Sequence, residues 1–176
     1  ARTAAREAAG TASPPGFARL FLTRVPLPPE PVISGYFPIG DELDVRPLLA
    51  QLAELGFATA LPVVQARDMP LAFRRWRPEH STVAGLFRVP EPQPNAAPAE
   101  PDVLIIPLLA FDRFGHRLGY GAGFYDRTLE ALRAQRPILA VGAAFSTQEV
   151  DAIPATAQDQ RLDWIVTERH ASPLPR

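Results

Sequence analysis

The sequence predicts an α/β domain built on a mainly parallel sheet, and three observations lead there. Short apolar runs alternate along the chain with segments of helical periodicity, the pattern of strand–helix–strand units. The run Val103 to Leu109, bounded by Pro101 and by the turn Asp112-Arg113-Phe114-Gly115, reads as a buried strand. Behind it comes Arg117-Leu118-Gly119-Tyr120-Gly121-Ala122-Gly123-Phe124-Tyr125-Asp126-Arg127. Three glycines there alternate with other residues, and a helical pattern through Tyr125, Leu129 and Leu132 starts at once.

Composition sets the outer bounds. The 176 residues suit one domain with a sizeable core, and the 47% hydrophobic and 21% charged content is that of a globular protein. A formal net charge of -1 argues against general attraction to nucleic acid or anionic membranes. With no cysteine, disulfides, thiol catalysis and thiolate metal sites are excluded. No apolar run approaches the roughly 20 residues of a membrane span, and no signal peptide is visible. A soluble, cytoplasmic protein is expected, with an initiator methionine and further residues expected ahead of Ala1.

In chain order, the Ala- and Arg-rich stretch Ala1 to Ala9 predicts a helix, broken by Gly10 to Pro15. Arg2 and Arg6 share one face of it, and spacing alone makes that a solvated basic face. Phe17, Leu20 and Phe21 predict a short amphipathic helix ending before Pro26, and Pro26 to Pro31 forms an extended connector too short to split domains. Val32 to Phe37 predicts a strand ended by Pro38 and Gly40. Asp41-Glu42-Leu43-Asp44 leads into a helix through Leu48, Leu49, Leu52 and Leu55, stopped by Gly56. Pattern alone makes Asp41 and Glu42 helix-start charges.

Phe57 to Val64 predicts a strand interrupted by Pro62, and Leu71 to Trp76 a half-exposed strand, with Met69 and Trp76 read as packing. The Pro/Ala-rich stretch Gln93 to Pro101 is expected to be a mobile loop. After the Val103 strand and the glycine loop, a helix over Phe124 to Ala134 and a strand over Ile138 to Phe145 follow. A turn or short helix at Gln148 to Val150 and a last strand over Leu162 to Thr167 complete the chain. Asp159, between them, reads from pattern as an exposed loop acid. His80, His116 and His170 lack the spacing of a zinc site, and there is no Gly-x-Ser-x-Gly elbow.

The glycine loop has the chemistry of an anion site. Glycine allows positive φ and close backbone approach, and the first amides of a helix point outward without internal partners. Arg117 and Arg127 flank the loop with forked donors suited to phosphate, and Asp126 stands where a carboxylate could hold magnesium. The loop is not a P-loop, because no Gly-Lys-Ser/Thr follows. As a dinucleotide fingerprint its third glycine falls one position early, and the next strand carries no acid for a ribose hydroxyl. The alternative is a plain strand-to-helix turn with Asp126 as a partner of the helix dipole.

The stretch Pro107-Leu108-Leu109-Ala110-Phe111-Asp112-Arg113-Phe114-Gly115-His116-Arg117-Leu118-Gly119-Tyr120-Gly121-Ala122-Gly123-Phe124-Tyr125-Asp126-Arg127 resembles the signature of the 5-formyltetrahydrofolate cyclo-ligase family, also called methenyltetrahydrofolate synthetase. The resemblance is ungapped there, runs from about Ser34 to the end of the chain, and continues more weakly through the N-terminus. It implies one domain over residues 1–176 with a three-layer, Rossmann-like fold: a mainly parallel central sheet flanked by helices. It also implies an ATP- and Mg2+-dependent ligase that closes 5-formyltetrahydrofolate to 5,10-methenyltetrahydrofolate, acting on small molecules and expected to be a monomer.

Residue by residue, the resemblance puts Arg2 and Arg6 on the ATP phosphates, where the family usually has Lys and Arg. Arg117 and the loop Leu118, Gly119, Tyr120, Gly121, Ala122, Gly123, Phe124 and Tyr125 would bind ATP. Arg117 and Glu42 would carry the catalysis. Phe37, Glu42, Met69, Trp76 and the segment Tyr120 to Phe124 would hold the folate, with Leu86 to Pro92 bordering its cleft. Asp126 and Asp159 would lie beside the magnesium. The family often has Tyr at the place of Phe124, so a hydroxyl contact is lost and stacking kept. Two other classes fit less well: a folate- and ATP-binding paralogue without turnover, and a nicotinamide-dependent oxidoreductase.

Overall fold

The structure, a computed structural model, describes residues 13–175. Helix α1 (Phe17–Arg24) leads through the proline connector to strand β1 (Val32–Ser34), helix α2 (Arg46–Glu54) and strands β2 (Ala58–Val63) and β3 (Ala72–Arg75). A separate hairpin, β4 (Thr82–Ala84) and β5 (Pro90–Pro92), follows. Then come β6 (Val103–Pro107), a small hairpin of β7 (Ala110–Phe111) and β8 (Arg117–Leu118), and helix α3 (Phe124–Arg133). Strand β9 (Leu139–Ala143), a 3-10 turn at Ser146–Gln148, β10 (Trp164–Val166) and β11 (Ala171–Pro173) close the chain. The helix expected over residues 1–9, with Arg2 and Arg6, lies outside the described residues.

The main sheet has the order β11-β10-β9-β6-β1-β2-β3. Its five inner strands run parallel, and the two edge strands β3 and β11 are antiparallel. Alternation along β6 shows the layering. Val103 and Ile105 join a core with Phe17 and Phe21 of α1 and Leu48, Leu49 and Leu52 of α2. Leu104 and Ile106 join the opposite core with Leu129 of α3. Both faces of the sheet are covered, which is why β6 reads as a continuous apolar run. The fold is the expected three-layer α/β sandwich, with α1 and α2 on one face and α3 on the other.

Several boundaries moved for physical reasons. Strand β1 stops at Ser34, three residues early. Tyr36 turns into the core and donates its hydroxyl to the Leu43 carbonyl at 2.7 Å, which draws the chain off the sheet. Pro62 does not interrupt β2. The Ala60 carbonyl accepts from the Gly35 amide at 3.1 Å, so alternate residues of β2 face β1, and Pro62 faces that side after β1 has ended. The stretch 93–101, expected to be mobile, is held along the outer edge of β3: the Arg75 amide donates to Ala97 at 2.8 Å and the Ala99 amide to Phe73 at 3.0 Å. The strand at Leu162 to Thr167 is not the last, because the chain turns at Thr167–His170 and adds β11.

Candidate active site

Strand order places the site. The chain runs from β1 outward to β2 on one side, and β6 then returns to the other side of β1. The segments after β1 and β6 therefore leave toward opposite faces, one into α2 and the other into α3. A crevice opens between them at the carboxyl ends of the strands, where open parallel sheets take their ligands. Its two walls are the Glu42 loop after β1 and the glycine loop after β6. They touch where the Tyr120 hydroxyl donates to the Ile39 carbonyl at 3.2 Å.

The glycine loop is built by the hairpin before it and the helix after it. The Leu109 amide donates to Leu118 at 2.7 Å, so the hairpin returns the chain to the end of β6 before the loop starts. Gly119, Tyr120, Gly121 and Ala122 are exposed. Gly121 has φ +91 and Gly123 φ +70, conformations that side-chain-bearing residues rarely adopt. Gly123 stands at the N-terminal boundary of α3, and no side chain caps that end. Its first-turn amides have no side-chain cap and lie at the positive end of the helix dipole.

Glu42 is not a helix-start charge. It is 5% exposed and precedes α2 by several residues, and its Oε2 accepts the Ile39 amide at 2.8 Å. Burial pushes its carboxyl up to about 7, against the opposing pull of the Ile39 amide. Burial and the nearby Glu42 charge together also push up the hydroxyls of Tyr36 and Tyr125. A carboxyl raised toward neutrality thus stands on the Glu42 wall, in electrostatic reach of the buried hydroxyls of Tyr36 and Tyr125.

On the far side of the loop, Arg117 and Asp126 form an ion pair at 2.8 Å. Arg117 is 8% exposed at its side chain, and its other terminal nitrogen donates to the Gln160 carbonyl. The Gln160 amide donates back to Asp126 Oδ1 at 2.9 Å. This reciprocal pairing brings the loop that carries Asp159 against the start of α3. Asp159 itself is exposed, and its Oδ2 accepts the Thr156 amide at 2.6 Å. The fork of Arg117, expected to be open to phosphate, is occupied within the protein. Arg127 likewise turns back under the loop, to the Ala122 and Arg67 carbonyls.

An apolar rim surrounds the crevice. Ile39, Met69, Leu86, Phe87, Leu118 and Tyr120 are all exposed. Phe87, at the tip of the β4–β5 hairpin, meets Phe124 edge-on with ring centroids 5.9 Å apart. The Arg67–Pro70 turn is tied to α3, because the Leu71 amide donates to the Thr128 hydroxyl at 2.8 Å. Met69 is exposed on that turn beside α3, whereas Trp76 is packed inside. Trp76 is 4% exposed, packs edge-on against Phe37 at 5.7 Å and donates its indole N–H to the His80 carbonyl. It is a core residue, and Phe37 lies between it and the Arg46 guanidinium, 5.3 Å from the Phe37 ring.

Sequence reasoning missed Tyr36 and Gln160; Phe87 lies within the stretch Leu86 to Pro92 that the resemblance put at the border of the cleft, though it was not singled out. Gln160 acts through its backbone and leaves no residue-type signal.

Two surface concavities, of about 570 and 450 Å3, lie elsewhere. The larger, lined by Arg133, Arg136, Pro137 and Asp163, sits at the amino ends of β9 and β10, and its arginines are paired with Asp163 and Asp102. Magnesium takes oxygen ligands and keeps several waters, so one or two carboxylates beside a phosphate site suffice. Asp126, with a side chain 30% exposed, fits that requirement, although no group of three or more acid or histidine side chains gathers as a cage among the described residues.

A model of the 5-formyltetrahydrofolate cyclo-ligase family matches residues 27–168. The chain is 38% identical over 145 residues to the 5-formyltetrahydrofolate cyclo-ligase of Mycolicibacterium smegmatis, covering 78% of this chain and 73% of that one. It is 35% identical over 140 residues to that of Escherichia coli, covering 77% and 76%. Among solved structures, it superposes on the 5,10-methenyltetrahydrofolate synthetase of Aquifex aeolicus with a TM-score of 0.75 and 26% identity, over 99% of this chain and 84% of the other. The synthetase of Mycoplasma pneumoniae gives a TM-score of 0.63 at 26% identity, over 85% and 80%.

Proposed function

The chain belongs to the 5-formyltetrahydrofolate cyclo-ligase family, a family of ligases, and from that premise we propose that it closes 5-formyltetrahydrofolate to 5,10-methenyltetrahydrofolate at the cost of ATP. The supporting observation is the crevice between β1 and β6, with a glycine loop and a helix N-terminus on one wall and a buried carboxyl near neutrality on the other.

The reaction needs both walls. The formyl oxygen is a poor leaving group. Its attack on the terminal phosphorus of ATP forms an O–P bond, breaks the bond to the ADP oxygen and makes it a good one. The neighbouring anilino nitrogen then bonds to the formyl carbon, phosphate departs with the former formyl oxygen, and the nitrogen loses its proton. The protein's contribution is placement and stabilisation of charge. The exposed loop Leu118 to Ala122, with Gly123, Phe124 and Tyr125 behind it, cradles the phosphates with backbone amides. Arg117, and Arg2 and Arg6 from the N-terminal segment, add positive charge. Glu42 accepts hydrogen bonds from the folate, and Phe37, Met69, Tyr120 and Phe124 enclose its ring system.

Asp126, with Asp159 on the neighbouring loop, would hold Mg2+, which when bound neutralises phosphate charge. The Arg117 guanidinium, paired with Asp126 at 2.8 Å, orients its carboxylate. Absorbance of methenyltetrahydrofolate, followed from 5-formyltetrahydrofolate with and without ATP and Mg2+, tests the proposal. ATP-dependent formation is expected, and none at any ATP concentration would refute it. Asp126→Asn should raise the magnesium needed for half-maximal rate more than Asp159→Asn does. Wild-type magnesium dependence in both would remove the metal assignment.

A further inference from the structure

The guanidinium of Arg127 does something other than face a ligand. Its Nη2 donates to the Ala122 carbonyl at 2.8 Å, inside the glycine loop, and to the Arg67 carbonyl at 2.9 Å, on the turn that carries Met69. Its plane lies over the Phe124 ring, 5.2 Å from the centroid. Nη1 is so close to Gly123 that a Cβ there would stand 2.8 Å from it. Nε is buried with no hydrogen-bond partner. A buried donor left unpaired is costly, so the side chain is held in this pose by its other contacts. Phe87, which meets Phe124 on the same apolar rim, carries the Arg67 guanidinium 5.7 Å from its ring.

These contacts lie on two segments that are distant in sequence and have different tasks. The glycine loop is the phosphate wall, and the Arg67–Met69 turn with the Phe87 tip is part of the apolar wall. We propose that Arg127 is a positioning residue, a clasp that sets the glycine loop and fastens it to the Met69 wall, so that both substrate sites form together. The proposal rests on the functional reading above for the names of the substrates, and on hydrogen bonds alone for the clasp. It also gives Gly123 a second reason to lack a side chain besides its φ of +70, because the space a Cβ would take belongs to Arg127.

Two substitutions separate clasp from charge. Arg127→Met keeps an apolar stem over Phe124 and removes every donor. Arg127→Lys keeps the positive charge as a point and loses the planar fork. A clasp predicts that Arg127→Met raises KM for ATP and for 5-formyltetrahydrofolate together, each about tenfold, the loss of one charged hydrogen bond's worth of affinity. It predicts kcat within about threefold of wild type, since no reacting atom is touched. Arg127→Lys should resemble Arg127→Met. A rise confined to ATP, or wild-type KM values in Arg127→Lys, would make Arg127 a source of charge and overturn the clasp.

Hydrogen exchange on the ligand-free protein gives a readout independent of the reaction. Amides of 120–124 and of 67–71 should exchange faster together in Arg127→Met, while those of β6 and β9 stay protected. Unchanged exchange at both segments, or faster exchange at one alone, would refute the clasp. Wild-type protein inactive on 5-formyltetrahydrofolate, with the two segments still loosening together in Arg127→Met, would refute the functional reading and leave the clasp standing.

Discussion

Gly119, Gly121 and Gly123 look equivalent in the sequence, yet the fold asks different things of them. Gly121 and Gly123 sit at positive φ, where an L side chain costs about 1–2 kcal/mol, and a Cβ at Gly123 also meets Arg127. Gly119 has neither a positive φ nor any neighbour within 4 Å of a Cβ. Thermal unfolding should therefore find Gly119→Ala as stable as wild type, and Gly121→Ala and Gly123→Ala less stable. If Gly119→Ala nevertheless weakens ATP binding, the cause is the approach of the ligand.

Glu42 carries a second residue-scale prediction. Its carboxyl is raised from 4.5 to about 7 in the fold, so between those values the native state holds a proton that the unfolded state has lost. Glu42 then lowers stability as pH rises from about 4.5 to about 7, with no further change above. Glu42→Gln removes this dependence, and unfolding midpoints at pH 5 and pH 8 should differ less in the variant than in wild type. A difference as large in both would mean that Glu42 ionises normally.

Among the elements, the β7–β8 hairpin governs the site, because it aims Arg117 and starts the glycine loop. One buried carboxylate holds it. Asp112 is 0% exposed and accepts the Phe114 amide at 2.9 Å, the His116 amide at 3.0 Å and the Ile153 amide at 2.9 Å, with the His116 ring nitrogen at 3.0 Å. Burial pushes its carboxyl up, but these donors outweigh burial and bring it below the usual range. Its contribution is present above the ordinary Asp value and is lost as pH falls through the lowered one. Asp112→Ala strands three amides at about 1–3 kcal/mol each where they remain buried, so a fall in Tm together with weakened ATP binding is expected. A fall in Tm with unaltered ATP affinity would show that the hairpin does not set the loop.

The turn Asp112 to Gly115 was legible in the sequence, but not its hairpin, because strands of two residues carry no periodicity. The β4–β5 pair, with strands of three residues each and Pro at both ends of β5, was hidden in the same way. Strand ends were misjudged where a tertiary contact intervened, such as the inward turn of Tyr36 after β1.

For the whole molecule, the alternation of strand and helix sufficed for a parallel α/β sheet, and the glycine loop for the exposed turn that opens α3. The resemblance supplied the third layer. The strand order could not be read, because whether β6 pairs with β1 or with β2 depends on packing distant in sequence. That order makes Glu42 and the glycine loop the two walls of one crevice. That Trp76 is buried in the core could not be read, because a buried aromatic and a ligand-facing one have the same spelling. Arg127 was expected to offer its fork to phosphate, and its turn beneath the loop depends on the Arg67 carbonyl contributed by another segment.

The central claim is that one crevice holds two substrates on two walls. Calorimetric titration of MgATP into Gly121→Val and Glu42→Gln tests it most directly. Gly121→Val should lose ATP binding, since a branched side chain at φ +91 distorts the loop and fills the phosphate approach. Glu42→Gln should bind ATP as wild type does, while its affinity for 5-formyltetrahydrofolate falls roughly tenfold to a hundredfold, the worth of one charged hydrogen bond. Equal loss of ATP binding in both proteins, or undiminished ATP binding in a folded Gly121→Val, would contradict the account.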